Sequence, residues 1–208
     1  MTLPNFLCIG AQKAGSTWIH NRLGQHPDVF VPPDAKELQY FSRPSNPRRL
    51  KAYRAHFATV DGQRWIGEST PGYFWTADET SEFYQPGWPR CENIPQAVLD
   101  LLGPDVRLLL SLRHPVDRAI SAFYHHFRHG RIKPDENILD AGKRLGIIDM
   151  GFYQRHYEKW RQVFPEEQFH VSFLEQIKTD PEALWRDICE FLDIEDFGLQ
   201  AADKADNR

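Results

Sequence analysis

Little in this chain points to covalent staples, a membrane span or a polyanionic partner. Its three cysteines, Cys8, Cys91 and Cys189 in 208 residues, are too few and too far apart for a disulfide framework. No CxxC or Cys/His spacing offers zinc ligands, and this usage fits a reducing compartment. No window approaches the roughly 20 apolar residues of a membrane-spanning helix. The N-terminus MTLPNFLCIG has no basic stretch ahead of an apolar one. The expectation is therefore a soluble, cytoplasmic protein with no membrane span. Charge of one sign is missing too: 25 Lys and Arg stand against 29 Asp and Glu, a net of −4. That excludes a dedicated nucleic-acid binder, so any anion site must be a local concentration of base. Repeats and low-complexity tracts are absent.

What is there suits a folded domain. Hydrophobic residues make up 41% and charged residues 26%, and the length allows one domain over 1–208 with a substantial core. NFLCIG is a short apolar run ending in glycine and reads as a buried strand. A helix is expected from Thr17 to Gln25, stopping before His26-Pro27. RWIGEST gives a second strand. VRLLLSL, Val106 to Leu112, is apolar on both faces, as in a parallel sheet covered on both sides. Pro115 fits the first position of a helix reaching about Arg128. QFHVSFLE, from Gln168, gives a fourth strand. The helix before it carries Tyr153, Tyr157, Trp160 and Phe164, and the helix after it Leu184, Ile188 and Phe191, both sets at core spacing. Phe74 to Pro95 reads as a long loop, of the kind that is often functional. Strands alternating with helices imply an α/β fold with a central parallel sheet.

The stretch IGAQKAGSTWI raises a chemical question. It has the outline of a phosphate-binding loop, yet its lysine precedes the second glycine, whereas the Walker A lysine follows it. Gly10 and Gly15 allow close backbone approach, Lys13 brings a point charge, and Ser16 and Thr17 bring hydroxyls to a helix N-terminus. The alternative is a tight turn with Ser16 as cap and Lys13 in solvent. In LLLSLRHPVDRAISAFYHHFRHG, Arg113 falls just past a strand's C-terminal end, where ligands of parallel α/β sheets bind. Ser121 falls one to two turns into the next helix, with Arg118 three residues earlier. An arginine fork and a hydroxyl suit a second phosphate; the alternative is a structural ion pair.

Together these segments resemble the sulfotransferases that use 3′-phosphoadenosine 5′-phosphosulfate. The resemblance runs from Phe6 to about Ile194 and implies a P-loop-containing three-layer α/β fold. GAQKAGSTWI is similar to the family's 5′-phosphosulfate loop, which implies cofactor contacts from Gly10, Lys13, Ala14, Gly15, Ser16 and Thr17. LRHPVDRAIS is similar to its 3′-phosphate motif, with Arg113 and Ser121 at the matching positions. PPDAKELQYF resembles the segment that presents a catalytic glutamate in the carbohydrate-type branch, here Glu37. GESTPGYF and the stretch from Asp149 to Ile194 resemble further family blocks. The implied activity is transfer of a sulfuryl group to a hydroxyl acceptor, a small molecule or saccharide, leaving adenosine 3′,5′-bisphosphate. Lys13 would then reach the oxygen bridging sulfur and phosphorus, so no metal is required. Trp18 would stack on adenine or, alternatively, pack into the core.

Glu37 is the expected general base, since a carboxylate within reach can take the acceptor's proton. Its alternative is a solvated charge pair with Lys36. His125, His126 and His129 either line the cleft or decorate a helix. Arg43, Arg48, Arg49, Lys51 and Arg54 read as a solvated face or a saccharide site, and Phe74, Trp75, Phe83, Tyr84 and Trp88 as a pocket wall. The chain departs from the family pattern twice. Many carbohydrate-type members have a lysine where Ser69 stands. The family also continues past the last helix with a basic loop over the 3′-phosphate and then a further helix, whereas this sequence ends at Arg208; the expectation is a lid that is short or lacking, with Lys204 and Arg208 as remnants of that loop. Two other functions fit the loop taken alone: a P-loop nucleotide kinase or NTPase, and a non-catalytic nucleotide-binding domain.

Overall fold

A computed structural model describes residues 2–76 and 93–198. Five parallel strands lie in the order β2-β3-β1-β4-β5: β1 Phe6–Gly10, β2 Val29–Phe30, β3 Trp65–Ser69, β4 Arg107–Leu112 and β5 Phe169–Phe173. The helices are α1 Ser16–Leu23, α2 Pro47–Ala55, α3 Ile94–Leu102, α4 Pro115–Arg128, α5 Ile138–Leu145, α6 Tyr153–Arg161, α7 Leu174–Thr179 and α8 Pro181–Leu192. All five residues of β1 and of β3 are buried. Successive side chains of a strand point to opposite faces, and the cores follow that alternation. Phe6, Cys8 and Leu109 pack with Trp18 and Leu23 of α1, Ile177 of α7, and Leu184 and Ile188 of α8. Leu7, Ile9, Leu108 and Leu110 face the other way, toward Tyr53 of α2, Val98 of α3 and Trp160 of α6. Helices on both faces make the three-layer α/β fold that the sequence implies.

Helix starts are set by side-chain caps. Asn46, Asn93, Asn137 and Asp180 each accept a first-turn N–H, and Pro47, Pro95 and Pro181 fall in the first turns they precede. Helix α1 differs. Its N-cap is Gly15, with φ of 95° and no side chain to cap the first turn. Its Trp18 and Ile19 N–H groups return to the Gly15 carbonyl, and the helix start directly follows the loop after β1. That loop sits where the strand order reverses, with β3 on one side of β1 and β4 on the other, the usual ligand crevice of open α/β sheets.

Three sequence readings change. Helix α3 begins at Ile94, so the loop expected to reach Pro95 ends earlier. Phe74 is a core residue, 2% exposed, and not a pocket wall. Trp75 donates its indole N–H to Asp149 Oδ2 at 2.5 Å and packs over Gly146. Phe83, Tyr84 and Trp88 lie outside the described residues.

Candidate active site

The loop from Gly10 to Gly15 is rooted in β4. Ala11 donates its N–H to the Ser111 carbonyl at 2.6 Å, and the Ser111 hydroxyl donates to the Ala14 carbonyl at 2.6 Å. A Cβ on Gly15 would fall 2.5 Å from Ile177 Cδ1, and one on Gly10 would fall 2.6 Å from Phe74 Cβ. Both positions are crowded, and Gly15 is favoured by its backbone shape as well. Lys13 itself has a positive φ of 65°, at a residue type that rarely takes that conformation. Ser16 is buried and Thr17 exposed at the start of α1.

The second motif meets the first here. Arg113, half-buried at the end of β4, places Nη1 3.5 Å from the Lys13 carbonyl across 100 residues of sequence. Tyr153 donates to the Arg113 carbonyl at 2.8 Å and fixes that backbone. Ser121 is half-buried in α4. Arg118 does not join them: it is fully buried, and its guanidinium donates to the Ile147 carbonyl beneath α4.

The Glu37 segment docks on the end of β3 through three successive amides. Glu37 N–H donates to the Ser69 carbonyl at 3.0 Å. Leu38 N–H goes to the Glu68 carboxylate. Gln39 N–H reaches the Thr70 hydroxyl at 3.3 Å. Glu37 and Gln39 both take positive φ, 63° and 52°, a conformation held by these bonds. Glu68 anchors the arrangement from inside. Its carboxylate also accepts the hydroxyls of Tyr73 at 2.7 Å, Thr70 at 2.6 Å and Tyr53 at 3.2 Å. Burial raises its pKa against the pull of those bonds. On the far side, Arg49 donates to the carbonyls of Tyr40 (2.7 Å), Arg43 (2.8 Å), Gln39 (3.3 Å) and Pro44. Of the basic run proposed for a saccharide, Arg49 thus braces the loop, while Arg43, Arg48 and Lys51 are exposed.

These pieces converge on the Lys13 ammonium. Its pKa is lowered chiefly by burial, then by the positive charges of Arg128, Lys36 and Arg113; Glu37 pulls it the other way. His125 also faces this group: burial lowers its pKa, and Lys13 is the next contributor. His126 is buried and pushed down to about 4, so the loop-facing member of the histidine cluster is His125.

Trp18 is 7% exposed and sits among Phe6, Leu23 and Trp185. Trp18 thus packs into the core on the α8 side of the sheet. Sequence reasoning gave Lys36 only a solvent role and did not single out Glu68 or Arg128. A buried carboxylate on a strand is visible only once its tyrosine partners are folded around it.

Residues 3–203 match the family model described as "Sulfotransferase domain". The chain belongs to this sulfotransferase family. The solved structure of a sulfotransferase from Alicyclobacillus acidocaldarius is 30% identical, covers 96% of this chain and 85% of its own, and has a TM-score of 0.77. A mouse sulfotransferase solved with PAP is 16% identical, covers 98% of this chain and 62% of its own, and has a TM-score of 0.54, a likeness of fold alone. Human heparan sulfate glucosamine 3-O-sulfotransferase 5 is 24% identical to the chain over 191 residues, covering 86% of this chain and 50% of its own length. Human bifunctional heparan sulfate N-deacetylase/N-sulfotransferase 2 is 26% identical over 214 residues, covering 94% of this chain and 22% of its own. The sulfotransferase chain thus spans about half or less of the curated relatives it matches. Nothing in these comparisons supports the kinase alternative.

Proposed function

We propose that this sulfotransferase chain moves a sulfuryl group from 3′-phosphoadenosine 5′-phosphosulfate to a hydroxyl on a saccharide acceptor. The observation that carries the reading is the meeting of three distant segments at one sheet edge. Arg113 lies on the Lys13 backbone, and Glu37 is held on the end of β3 within electrostatic range of the Lys13 ammonium. The saccharide class rests on the heparan sulfate enzymes among the relatives.

The residues present fit such a donor. A helix start with no side-chain cap, the Lys13 ammonium and two hydroxyls suit a 5′-phosphosulfate. Arg113 and Ser121 suit a 3′-phosphate. The donor supplies an activated sulfuryl group and leaves as adenosine 3′,5′-bisphosphate. Lys13 stabilises the electron pair left on the bridging oxygen as its bond to sulfur breaks. Glu37, whose side chain is half-exposed, takes the acceptor's proton as the acceptor oxygen bonds to sulfur.

Wild-type protein should bind adenosine 3′,5′-bisphosphate without Mg²⁺ and prefer it to AMP in calorimetry. Arg113→Ala should lose that preference by roughly 10- to 150-fold, the worth of a charge-assisted contact. An unchanged ratio would make Arg113 a brace for the Lys13 carbonyl only.

A further inference from the structure

Lys36 is not the solvated partner of Glu37 that its neighbour suggests. Its side chain is 23% exposed and turns toward the start of α1. Nζ donates to the Thr17 hydroxyl at 2.8 Å and lies 3.4 Å from the Ser16 hydroxyl. Glu37 Oε1 is 3.9 Å away, well beyond the roughly 2.7–2.9 Å of a charge-assisted bond. It is the nearest carboxylate to Lys36 among the described residues. The ammonium therefore bonds to two neutral hydroxyls and is only loosely paired with a half-exposed carboxylate, which leaves it able to take an anion at closer range.

The surroundings indicate where that anion would lie. Ser16 and Thr17 are the first two residues of α1, a helix start with no side-chain cap. Strand β3 ends at Ser69, an uncharged residue. Ser69 is fully buried and its hydroxyl is 3.0 Å from His20 Nδ1. His20 is kept neutral, its pKa lowered to about 4 by burial and then by Lys36. Lys36 enters from another segment and brings its charge to the same corner.

We propose that Lys36 is a catalytic residue of this site, whose ammonium binds the sulfuryl end of the 5′-phosphosulfate opposite Lys13 and supplies the cation that Ser69 cannot. The inference rests on the donor proposed above. As the sulfur-to-bridging-oxygen bond breaks and the acceptor oxygen bonds to sulfur, Lys13 faces the leaving oxygen and Lys36 the transferring oxygens. The acceptor's proton still goes to Glu37. Because Lys36 and Glu37 are adjacent, the backbone bonds that seat the base seat this cation as well.

Lys36→Met and Lys36→Arg test it, with adenosine 3′,5′-bisphosphate as the binding probe, since that product lacks the sulfuryl group. Lys36→Met should keep bisphosphate affinity within a few-fold of wild type. Its turnover with saturating donor should fall by roughly 10²–10³, the usual loss for one preorganised contact. Lys36→Arg should recover part of it. Turnover within a few-fold of wild type would overturn the proposal. So would a parallel loss of melting temperature and bisphosphate affinity in Lys36→Met, the result expected if Lys36 only ties its loop to α1. Failure of wild type itself to bind the bisphosphate would be a different result: it would remove the donor assignment, and this inference with it.

Discussion

Glu37→Gln is expected to lower turnover by about 10²–10⁴, the usual contribution of a general base. Cofactor affinity should stay within a few-fold of wild type. The substitution preserves size and keeps the Glu37 amide on the Ser69 carbonyl, so the segment stays seated on β3. Only the proton acceptor is lost. Steady-state kinetics with saturating acceptor, together with bisphosphate calorimetry, separate the two quantities. A loss in both would mean that the segment shapes the donor site. Turnover near wild type would pass the role to His125 of α4, whose pKa the Lys13 charge helps to lower after burial. In that case kcat/KM should rise with pH through a midpoint below about 6.5, since burial and the neighbouring cations depress that histidine.

Lys13→Met should lower kcat by about 10²–10³ with a smaller change in bisphosphate affinity, because the charge it stabilises develops only as sulfur departs. Methionine keeps a long unbranched side chain at a position whose φ is 65°, so the variant tests the ammonium and not the turn. A rise in KM with unchanged kcat would contradict this, assigning Lys13 to ground-state binding alone.

The layers of this fold were legible because their signals are local. Strands β1, β3, β4 and β5 are short apolar runs, and the core stripes of α6 and α8 fall at helical spacing. Other elements were hidden for identifiable reasons. Strand β2 is two residues long. In α2, PRRLKAYRA, only Tyr53 is buried, and the helix is started by the Asn46 cap and not by an apolar stripe. The site divides in the same way. Gly10, Gly15 and Arg113 announce themselves by residue type beside a strand end, and Glu37 came from family resemblance. Lys36 was read as solvent-facing because its contacts, Ser16 and Thr17, lie 20 and 19 residues away in sequence. Glu68 depends on Tyr53 and Tyr73, from a helix and a turn that meet only in the folded chain. The packing of Trp18 against α8 was equally hidden, because Leu184, Trp185 and Ile188 lie far from it in sequence.

The central claim is sulfuryl transfer at the edge where Lys13, Arg113 and Glu37 meet. The most direct measurement incubates the protein with 3′-phosphoadenosine 5′-phosphosulfate and unsulfated heparan oligosaccharides, without Mg²⁺, and reads products by mass spectrometry. A product heavier by one sulfate, with stoichiometric adenosine 3′,5′-bisphosphate and none from Glu37→Gln above trace, is the predicted result. Phosphate transfer from ATP with Mg²⁺, with no sulfated product from the sulfuryl donor, would contradict it.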